Sequence, residues 1–506
     1  MKVRTVRCAL VLLAVAAQVT AAQAQSTLSV LDAARITLVE QPSIKFQREQ
    51  VAVAEGVLQT ASGRFDMLFG GSVDRSRNAL PLRLQDQPAT LSTAITNQTR
   101  YAIGLDKPLR SGLIISPSIG VTRLDPTFDP LATNRAAVGF GITQPLMRGR
   151  GAAVVTAQEQ AARFDVTAST EDLRQTAAIS VFQTAIAYWQ YVAATRNLDV
   201  VRASEARARR LVEETQTLIN AGNRPAAEIR QVNGNLAERI ALRTSFQQSQ
   251  FEARQTLGLA MGLPLDQAAA LPLPADGFPP ITETMPVPGD PALLEAAIRG
   301  RADLEAIRQR ELGTQHLITA ARDALKPQVD LNLSFGYSGL TEDAPFTGLF
   351  SSLGNRLDGP NFLASVAVSR SQENNFARGQ LARTEAASRQ TRIRIDDLAR
   401  SIRSGVVVAQ DELARSAERV RLLREAAGLY GTAVEDERAK LQLGLSTIID
   451  LVLIEDRLTR SLLEEISANL SYASALTRLR FETGTLVGGA SPTFDVTADA
   501  LMTVPR

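Results

Sequence analysis

The feature that most constrains the fold is a short turn between two very long segments that contain no proline. The turn spans Leu443 to Asp450. About seventy residues lead into it from near Phe376, and about thirty-five leave it and end near Gly484. Both flanks have helical spacing of apolar residues, which predicts a helical hairpin with this turn as its tip. At about 1.5 Å of rise per residue, the incoming arm would be on the order of 100 Å long, which no compact globular core requires.

The incoming arm carries an apolar stripe with spacings of three and four residues. The stripe is rich in alanine, which allows helices to approach closely, and Arg, Glu, Gln and Ser fill the other positions. A helix that packs against other helices along one side and is solvated along the other fits the wall of a tube. An ordinary helical bundle would explain any single helix equally well. The stripe consists of Ile395, Leu398, Ile402, Val406, Ala409, Leu413, Ala417, Val420, Leu423, Ala427, Tyr430 and Val434.

Segments of alternating polarity precede the long helices. A period of two predicts strands with one apolar and one polar face. The strands are expected over about 64–144, with a polar loop from Asn78 to Asn97 and a hairpin from Tyr101 to Val121, and over about 328–369 with a loop from Gly339 to Pro360. Such strands suit a barrel with lipid outside and water inside. A soluble β-sandwich is the alternative.

The chain also repeats. Gly222 and Gly444 lie 222 residues apart, and the same offset pairs Glu228 with Asp450. Each half is therefore predicted to contain, in order, helix, strands, long helix, glycine turn and helix. The hairpin from Tyr101 to Val121 is a surplus in the first half.

The N-terminal residues have the features of a secretory signal. Basic residues precede the apolar stretch from Ala9 to Ala17, and Ala22-Gln23-Ala24 forms a cleavage site, so the mature chain would start at Gln25. The single cysteine, Cys8, lies inside this signal, so the mature chain is predicted to have no disulfide. The net charge of +2 gives no indication of a nucleic-acid partner.

These features divide the chain into two repeats joined by a linker rich in proline and glycine. The predicted segments are a signal peptide at 1–24, repeat 1 at 25–262 with its helical hairpin at 151–262 and tip at 221–225, the linker at 263–291, repeat 2 at 292–487 with its hairpin at 373–485 and tip at 443–447, and a tail at 488–506 without a strong pattern.

Nothing in the sequence indicates an enzyme. His316 is the single histidine, so no histidine pair can form a zinc site, and a solvated or packed helical position is the better interpretation. Nucleophile and phosphate-loop motifs with supporting context are absent, and the carboxylates are scattered along wet helix faces. We therefore expect no catalytic residues, no metal site and no cofactor.

Four segments together resemble one known family, through their order more than through any single motif. They are Ile142-Thr143-Gln144-Pro145-Leu146, Thr184-Ala185-Ile186-Ala187-Tyr188-Trp189, Ala321 to Leu333, and Leu443 to Asp450. Over about Thr27 to Val487, the chain resembles the TolC-like outer-membrane efflux protein family.

The resemblance implies an α+β membrane protein: an outer-membrane β-barrel shared by three chains and continued by a long periplasmic α-helical barrel. It implies the exit duct of a tripartite efflux system for small molecules such as drugs. The implied partners are two further copies, outer-membrane lipid, a periplasmic adaptor, and an inner-membrane pump or ABC exporter. A type I protein-secretion duct and a periplasmic coiled-coil scaffold with a soluble β-domain remain alternatives. The usual member contributes four strands per chain, so the surplus hairpin is a departure.

The resemblance also implies a periplasmic gate near the tips. By position Asp450 matches a family gate aspartate, while Leu453 falls where a second acid is usual and Ser446 where its basic partner is usual. Glu228 is the counterpart of Asp450 in repeat 1. Thr447-x-x-Asp450 also forms a capping-box pattern at a helix start, a purely structural explanation of the carboxylate. Closure is therefore expected to depend more on packing, including that of Leu453, than on ion pairs.

Finally, the resemblance implies that an adaptor docks at the two tips. Gly222 and Gly444 would supply the backbone freedom that a tight tip needs. The predicted docking residues are Ala221, Gly222, Asn223 and Arg224 in the first tip, and Leu443, Gly444, Leu445 and Ser446 in the second.

Overall fold

The computed structural model describes residues 27–83, 91–126, 131–222, 224–282, 289–342, 352, 359–490 and 493–505. The predicted signal peptide and Asn223 lie outside the described residues. No helix within the described ranges is long and apolar enough to cross a lipid bilayer.

The helices follow the predicted order. They are α1 (Val30–Glu40), α2 (Pro42–Gly63), α3 (Ala152–Val155), α4 (Ala157–Asn220), α5 (Glu228–Ala260), α6 (Leu265–Ala269), α7 (Pro291–Gly300), α8 (Ala302–Asp323), α9 (Asn375–Gln442), α10 (Ile448–Glu482) and α11 (Ala498–Met502).

The described strands are interspersed with the helices along the chain and form three sheets. They are β1 (Thr27–Leu28), β2 (Leu68–Arg83), β3 (Leu91–Pro108), β4 (Ile114–Pro126), β5 (Thr133–Pro145), β6 (Leu273–Pro274), β7 (Gln328–Glu342), β8 (Gly359–Ser369), β9 (Gly488–Ala490) and β10 (Thr493–Asp495).

The chain divides into two compact units. The helical unit contains the residues up to Val51, Ser169–Ala306 and Ile395–Arg506, and the sheet unit contains Ala52–Ala168 and Ile307–Arg394. Together the helices and the sheet make this an α+β protein, as predicted.

The sheet unit contains one six-stranded sheet in the order β2-β3-β4-β5-β7-β8. Every neighbouring pair is antiparallel. The predicted hairpin from Tyr101 to Val121 is confirmed: these two residues face each other across β3 and β4. Its strands lie inside the sheet, between β2 and β5, so this sheet contains six strands among the described residues where the resemblance implied four.

Two predicted loops were too long. The loop from Asn78 to Asn97 was wrong at both ends, because β2 continues to Arg83 and Asn97 already pairs with Arg77. The predicted loop from Gly339 to Pro360 also begins too early, since β7 continues to Glu342. Regular alternation of polar and apolar residues is lost at these strand ends, so the sequence prediction ended the strands too early.

The predicted stripe on α9 forms the core of the helical unit. Its central members Ile402, Val406 and Leu413 are fully buried against Tyr472 and Leu476 of α10. A second cluster surrounds Tyr188 and Trp189 of α4. The spacing of three and four residues thus identified the packed side of α9 correctly.

The segment predicted as a linker is partly structured. It contains α6 and the short strand β6, which pairs in parallel with β1. Asp276 accepts hydrogen bonds from the Tyr188 hydroxyl at 3.1 Å and from the Val30 backbone N–H at 2.7 Å. Burial raises the pKa of Tyr188, so this phenol stays protonated. The sequence did not reveal these contacts, because the partners are far away along the chain.

The tail was likewise predicted to lack a pattern, yet it packs onto the helices. Leu501 and Val496 are buried in the same core cluster as Trp189. The Arg480 guanidinium donates to the carbonyl oxygens of Thr503 at 2.8 Å and Val504 at 3.1 Å. The tail is therefore held in place up to its last described residues.

Candidate functional site at the helical tips

The two hairpin tips have similar backbone geometry. The first connects α4 to α5 and the second connects α9 to α10. Gly222 and Gly444 have φ of 76° and 74°, in the left-handed region that a side chain disfavours. At the second tip, the Leu445 N–H donates to the Lys440 carbonyl at 2.9 Å, which closes the end of α9. Glycine thus ends each incoming helix and turns the chain.

The second tip exposes two leucines. Leu443 and Leu445 are 74% and 75% exposed. Among the described residues, and apart from each glycine and its chain neighbours, no atom lies within 4 Å of a Cβ built on Gly222 or Gly444, so the space beside each glycine is open. Ala221 is also exposed, and Arg224 is half-buried. The predicted docking residues that the structure describes therefore form accessible tips.

The predicted capping box is confirmed. The Asp450 N–H donates to the Thr447 hydroxyl oxygen at 3.2 Å, and the Thr447 N–H donates to the Asp450 carboxylate at 3.2 Å. The Thr447 hydroxyl also donates to that carboxylate at 2.6 Å. These side-chain and backbone hydrogen bonds lower the pKa of Asp450, so the exposed carboxylate stays ionised in mildly acidic solution.

The other gate candidates have surroundings that differ from those of Asp450. Leu453 is 51% exposed on α10. The Ser446 hydroxyl donates to the Glu437 carboxylate of α9. Glu228 is half-buried, with its carboxylate 3.8 Å from the Arg224 guanidinium.

An apolar cluster joins the two hairpins just behind the tips. It contains Leu211 of α4, Val232 of α5, Val434 of α9, and Ile448 and Leu451 of α10. All five side chains are buried. The two hairpins are therefore held together by apolar packing near the tips.

Sequence reasoning missed a charged group next to this cluster, which we call the arginine layer: Arg207, Arg239, Arg438, Glu455 and Asp456. At its centre, Glu455 of α10 is only 5% exposed. Its carboxylate lies 3.9 Å from Nε of Arg207 on α4 and 4.0 Å from Nη2 of Arg438 on α9. Arg239 of α5 pairs with Asp456. Each of the four long helices contributes at least one charge.

The hydrogen bonds of the layer also cross between the hairpins. Nη2 of Arg207 donates to the Thr459 hydroxyl oxygen at 3.2 Å. The Thr459 hydroxyl lies 3.2 Å from that of Ser204 on α4. These contacts join α4 of the first hairpin to α10 of the second.

Glu455 is held by charge more than by hydrogen bonds. Its distances to the arginines exceed hydrogen-bond length, and its Oε1 has no hydrogen-bond partner among the described residues. Burial raises the pKa of Glu455, against the opposing effect of Arg207, Arg438 and Arg239. Burial also lowers the pKa of Arg207 and Arg239. The arginine layer is thus a charged contact with few hydrogen bonds to Glu455, and it lies next to the apolar cluster.

One signal in the sequence could have revealed it. Leu451, Glu455 and Thr459 recur every four residues along α10, which places them on one side of the helix. A glutamate in line with a buried leucine requires a cationic partner. The arginines on the other three helices could not be identified without the fold.

A groove of about 370 Å³ opens beside the tips, between the two hairpins. Its apolar wall includes Leu211, Leu218, Leu441 and Ile448, and its charged rim includes Arg224, Arg438 and Glu214. The groove combines an apolar floor with charges of both signs.

The remaining sequence candidate, His316, is a packed residue of α8. Its ring stacks on Phe164 with centroids 5.5 Å apart. Within the described ranges, no group of three or more His, Cys, Asp or Glu side chains is placed to hold a metal ion.

Comparison with solved structures places this arrangement among known folds. The Campylobacter jejuni CmeC outer membrane channel matches with a TM-score of 0.65 and 11% identity, over 92% of this chain and 87% of that chain. The Neisseria gonorrhoeae MtrE outer membrane channel, in its open state, matches with a TM-score of 0.61 and 16% identity, over 90% and 88%.

The chain has the fold of these outer-membrane channels. The Vibrio cholerae outer membrane protein VceC matches with a TM-score of 0.62 and 16% identity, over 90% of this chain and 96% of that chain. No protein-family model and no curated protein matches the sequence. The likeness therefore lies in the fold, and it extends over nearly the whole length of both proteins.

Proposed function

We propose that this protein is an outer-membrane exit duct of a tripartite efflux system, passing small molecules such as drugs to the exterior. The observation that carries the proposal is the shared fold, which covers 90% or more of this chain in the comparisons with CmeC, MtrE and VceC. In this proposal three copies assemble, the strands form a barrel in the outer membrane, and the long helices form a tunnel in the periplasm.

The tips are the proposed contact with a periplasmic adaptor, which would connect the duct to an inner-membrane pump. Leu443 and Leu445 are exposed apolar side chains at the end of a hairpin. The adjacent groove offers an apolar floor between Leu211 and Ile448. An amphipathic helix of an adaptor could bury its apolar side in such a groove.

The proposed gate is the contact between the two hairpins. The apolar cluster around Leu451 and the arginine layer around Glu455 both join the hairpins, so separating them would widen the mouth of the tunnel. Apolar packing supplies the cohesion, while the buried, loosely bonded Glu455 weakens it. A contact of this kind can hold the two hairpins together and still allow them to separate.

Cell fractionation tests the proposed function. We expect the full chain in the outer-membrane fraction, soluble only with detergent, and migrating as a trimer that dissociates on heating. A monomer recovered from the soluble periplasmic fraction would contradict the proposal and favour the scaffold alternative.

Replacing Asp450 by Asn is expected to reduce the cation preference of the channel. Three ionised carboxylates around one constriction favour cations, and the lowered pKa of Asp450 keeps them charged well into the acidic range. The reversal potential in a salt gradient, measured on single channels, gives the preference. Glu418→Gln removes an exposed carboxylate that pairs with Arg421 on its own helix, and serves as the control. Unchanged selectivity in Asp450→Asn would show that Asp450 does not line the lumen.

A further inference from the structure

A pocket of about 490 Å³ lies in the sheet unit, where the strands meet the helices. Its walls come from strand ends of the six-stranded sheet, from α3 and α8, and from the connection between α2 and β2. Every residue that lines it belongs to the sheet unit, and none belongs to the groove beside the tips. The pocket is therefore a feature of one compact unit.

The pocket lies on the polar face of the sheet. Its strand residues include Ile114, Thr143 and Asp330. Ile114 pairs with Thr143 across β4 and β5, and Thr143 pairs with Asn332 of β7. Directly paired residues, and residues two positions along a strand, have their side chains on the same face, so Asp330 shares this face. In the proposed barrel the polar face borders the water-filled passage.

One wall of the pocket is apolar. It contains Phe65, Leu109, Ile114, Val154 and Val155. Phe65 is buried, and the Arg110 guanidinium lies 4.8 Å from the centroid of its ring. Such a wall favours a ligand with an aromatic or aliphatic group, because contact with the wall removes apolar surface from water. The volume falls within the range of about 300–1,000 Å³ that is typical of pockets for drug-sized ligands.

Two arginines supply positive charge to the same pocket. Arg64 and Arg148 both line it, and both are exposed. Arg64 has no ion-pair or hydrogen-bond partner among the described residues. Nε of Arg148 donates to the side-chain oxygen of Gln328 at 2.7 Å, which leaves the two terminal nitrogens of the guanidinium for a ligand. The two side chains can therefore donate several hydrogen bonds to one anionic group.

The carboxylates at the pocket already have partners. Asp323 is only 3% exposed, accepts a hydrogen bond from the Gly149 N–H at 2.6 Å and lies 2.7 Å from Nζ of Lys326. Asp330 accepts a hydrogen bond from the side-chain amide of Gln328. With Lys326 included, three cationic and two anionic side chains surround the pocket. The surplus charge is positive, which favours an anion.

The loop that carries Arg148 is fixed in place. The Arg148 N–H donates to the Pro327 carbonyl oxygen at 3.3 Å, and the Leu146 N–H donates to the Val329 carbonyl oxygen at 2.7 Å. The hydrogen bond from Gly149 to Asp323 adds a third contact between the same two segments. Binding therefore requires little ordering of this loop, which lowers the free-energy cost of binding.

We infer that this pocket binds small amphiphilic anions on their way through the duct. The acidic group, a carboxylate, sulfonate or phosphate, contacts Arg64 and Arg148, which form charge-assisted hydrogen bonds with it. The apolar part of the molecule lies against the wall that contains Phe65 and Val155. The inference rests on the proposed function and deepens it, because it names a substrate class and a place where that class is bound.

Ligand-observed NMR on trimers in lipid nanodiscs tests the inference, with naphthalenesulfonate as the probe. Saturation transfer to the naphthalene protons is expected to be saturable, after subtraction of the transfer from empty nanodiscs. Replacing both Arg64 and Arg148 by Gln should raise the Kd by about tenfold or more, because hydrogen bonds between charged groups are lost. Naphthalenemethanol, which keeps the ring and lacks the charge, should bind more weakly than the sulfonate by a similar factor.

The matched control removes a charge just outside the pocket. Arg150 is exposed and lies in the same connection as Arg148, yet it does not line the pocket. Arg150→Gln should leave the Kd of naphthalenesulfonate within about twofold of the wild-type value, since no direct hydrogen bond is lost. If Arg150→Gln weakens binding as much as the double variant, the general positive field attracts the probe, and the inference is overturned.

A substitution that fills the pocket keeps the charge constant. Ala324 lines the pocket at the end of α8, and Ala324→Phe should reduce the affinity for naphthalenesulfonate by occupying the space of its ring. Unchanged affinity in Ala324→Phe would overturn the inference, because the probe would then be bound elsewhere.

Other results separate the inference from the proposed function. Outer-membrane trimers that show no saturable binding of naphthalenesulfonate, or that bind naphthalenemethanol equally well, would overturn the inference and leave the exit duct standing. Absence of outer-membrane trimers in the unmodified chain would contradict both.

Discussion

Replacing Gly444 by Trp abolishes export if the tips dock an adaptor as proposed, while trimers still reach the outer membrane. The indole would occupy the open space beside the tip and project from the surface that Leu443 and Leu445 expose. A side chain at the φ of 74° costs about 1–2 kcal/mol, a strain that the buried cluster behind the tip can offset. Drug susceptibility of cells with this chain as their sole exit duct measures export, and fractionation measures assembly.

Gly444→Ala is the matched control for this experiment. It introduces the same backbone strain without the bulk, so export should be retained. Gly222→Trp applies the same test to the first tip, where the glycine φ is 76°. Normal export in Gly444→Trp would show that the second tip does not dock as proposed.

Replacing Arg207 by Met is expected to favour separation of the hairpins. The substitution removes the hydrogen bond to Thr459 and leaves the buried Glu455 with less compensating charge. Leaving a buried charged group short of partners costs about 1–3 kcal/mol. Such a change shifts an opening equilibrium by about 5- to 150-fold. The occupancy of open levels in single-channel records at neutral pH gives this shift.

A second substitution distinguishes loss of charge balance from loss of packing. In Arg207→Met combined with Glu455→Gln, no uncompensated buried carboxylate remains, so open occupancy should return toward the wild-type value. Arg421→Met is the control, because Arg421 is exposed and forms its ion pair with Glu418 of the same helix. If the double variant opens as much as the single one, charge in the layer does not control the contact.

The pH dependence follows from the pKa of Glu455. Burial raises that pKa in the closed hairpin pair above its ordinary value of 4.5. The carboxyl group therefore stabilises closure fully below the ordinary pKa, and this contribution is lost as pH rises through the raised value. Removing Arg207 raises the pKa of Glu455 further, because the arginine favours the ionised carboxylate. The opening caused by Arg207→Met should thus diminish on acidification, and Glu455→Gln should eliminate this response.

Features that depend on local sequence were predictable. The stripe from Ile402 to Val420 identified the packed side of α9, because helical spacing places these residues on one side whatever the partner. The capping box of Thr447 and Asp450 was predictable for the same reason, since both residues lie within one helical turn. The surplus hairpin around Tyr101 and Val121 was visible from its alternation.

Features that depend on distant partners were not predictable. Asp276 lies in a segment rich in proline and glycine, and its partner Tyr188 is on another helix. The need of Glu455 for a cationic partner could have been predicted, because it lies in line with apolar residues of its helix. Its partners Arg207 and Arg438 could not, since they come from helices that only the fold brings together. The expectation that closure depends more on packing than on ion pairs was based on Ser446 and Leu453 at the latch positions, and the charged contacts of Glu455 lie farther from the tip.

The most direct test of the exit-duct account is single-channel recording of the purified full chain in a planar lipid bilayer, compared with Arg207→Met. The account predicts discrete conductance steps from the wild-type protein, and longer or larger open levels from the variant at neutral pH. Protein that inserts as trimers yet gives no conductance steps in either form would contradict the claim that this chain forms a passage.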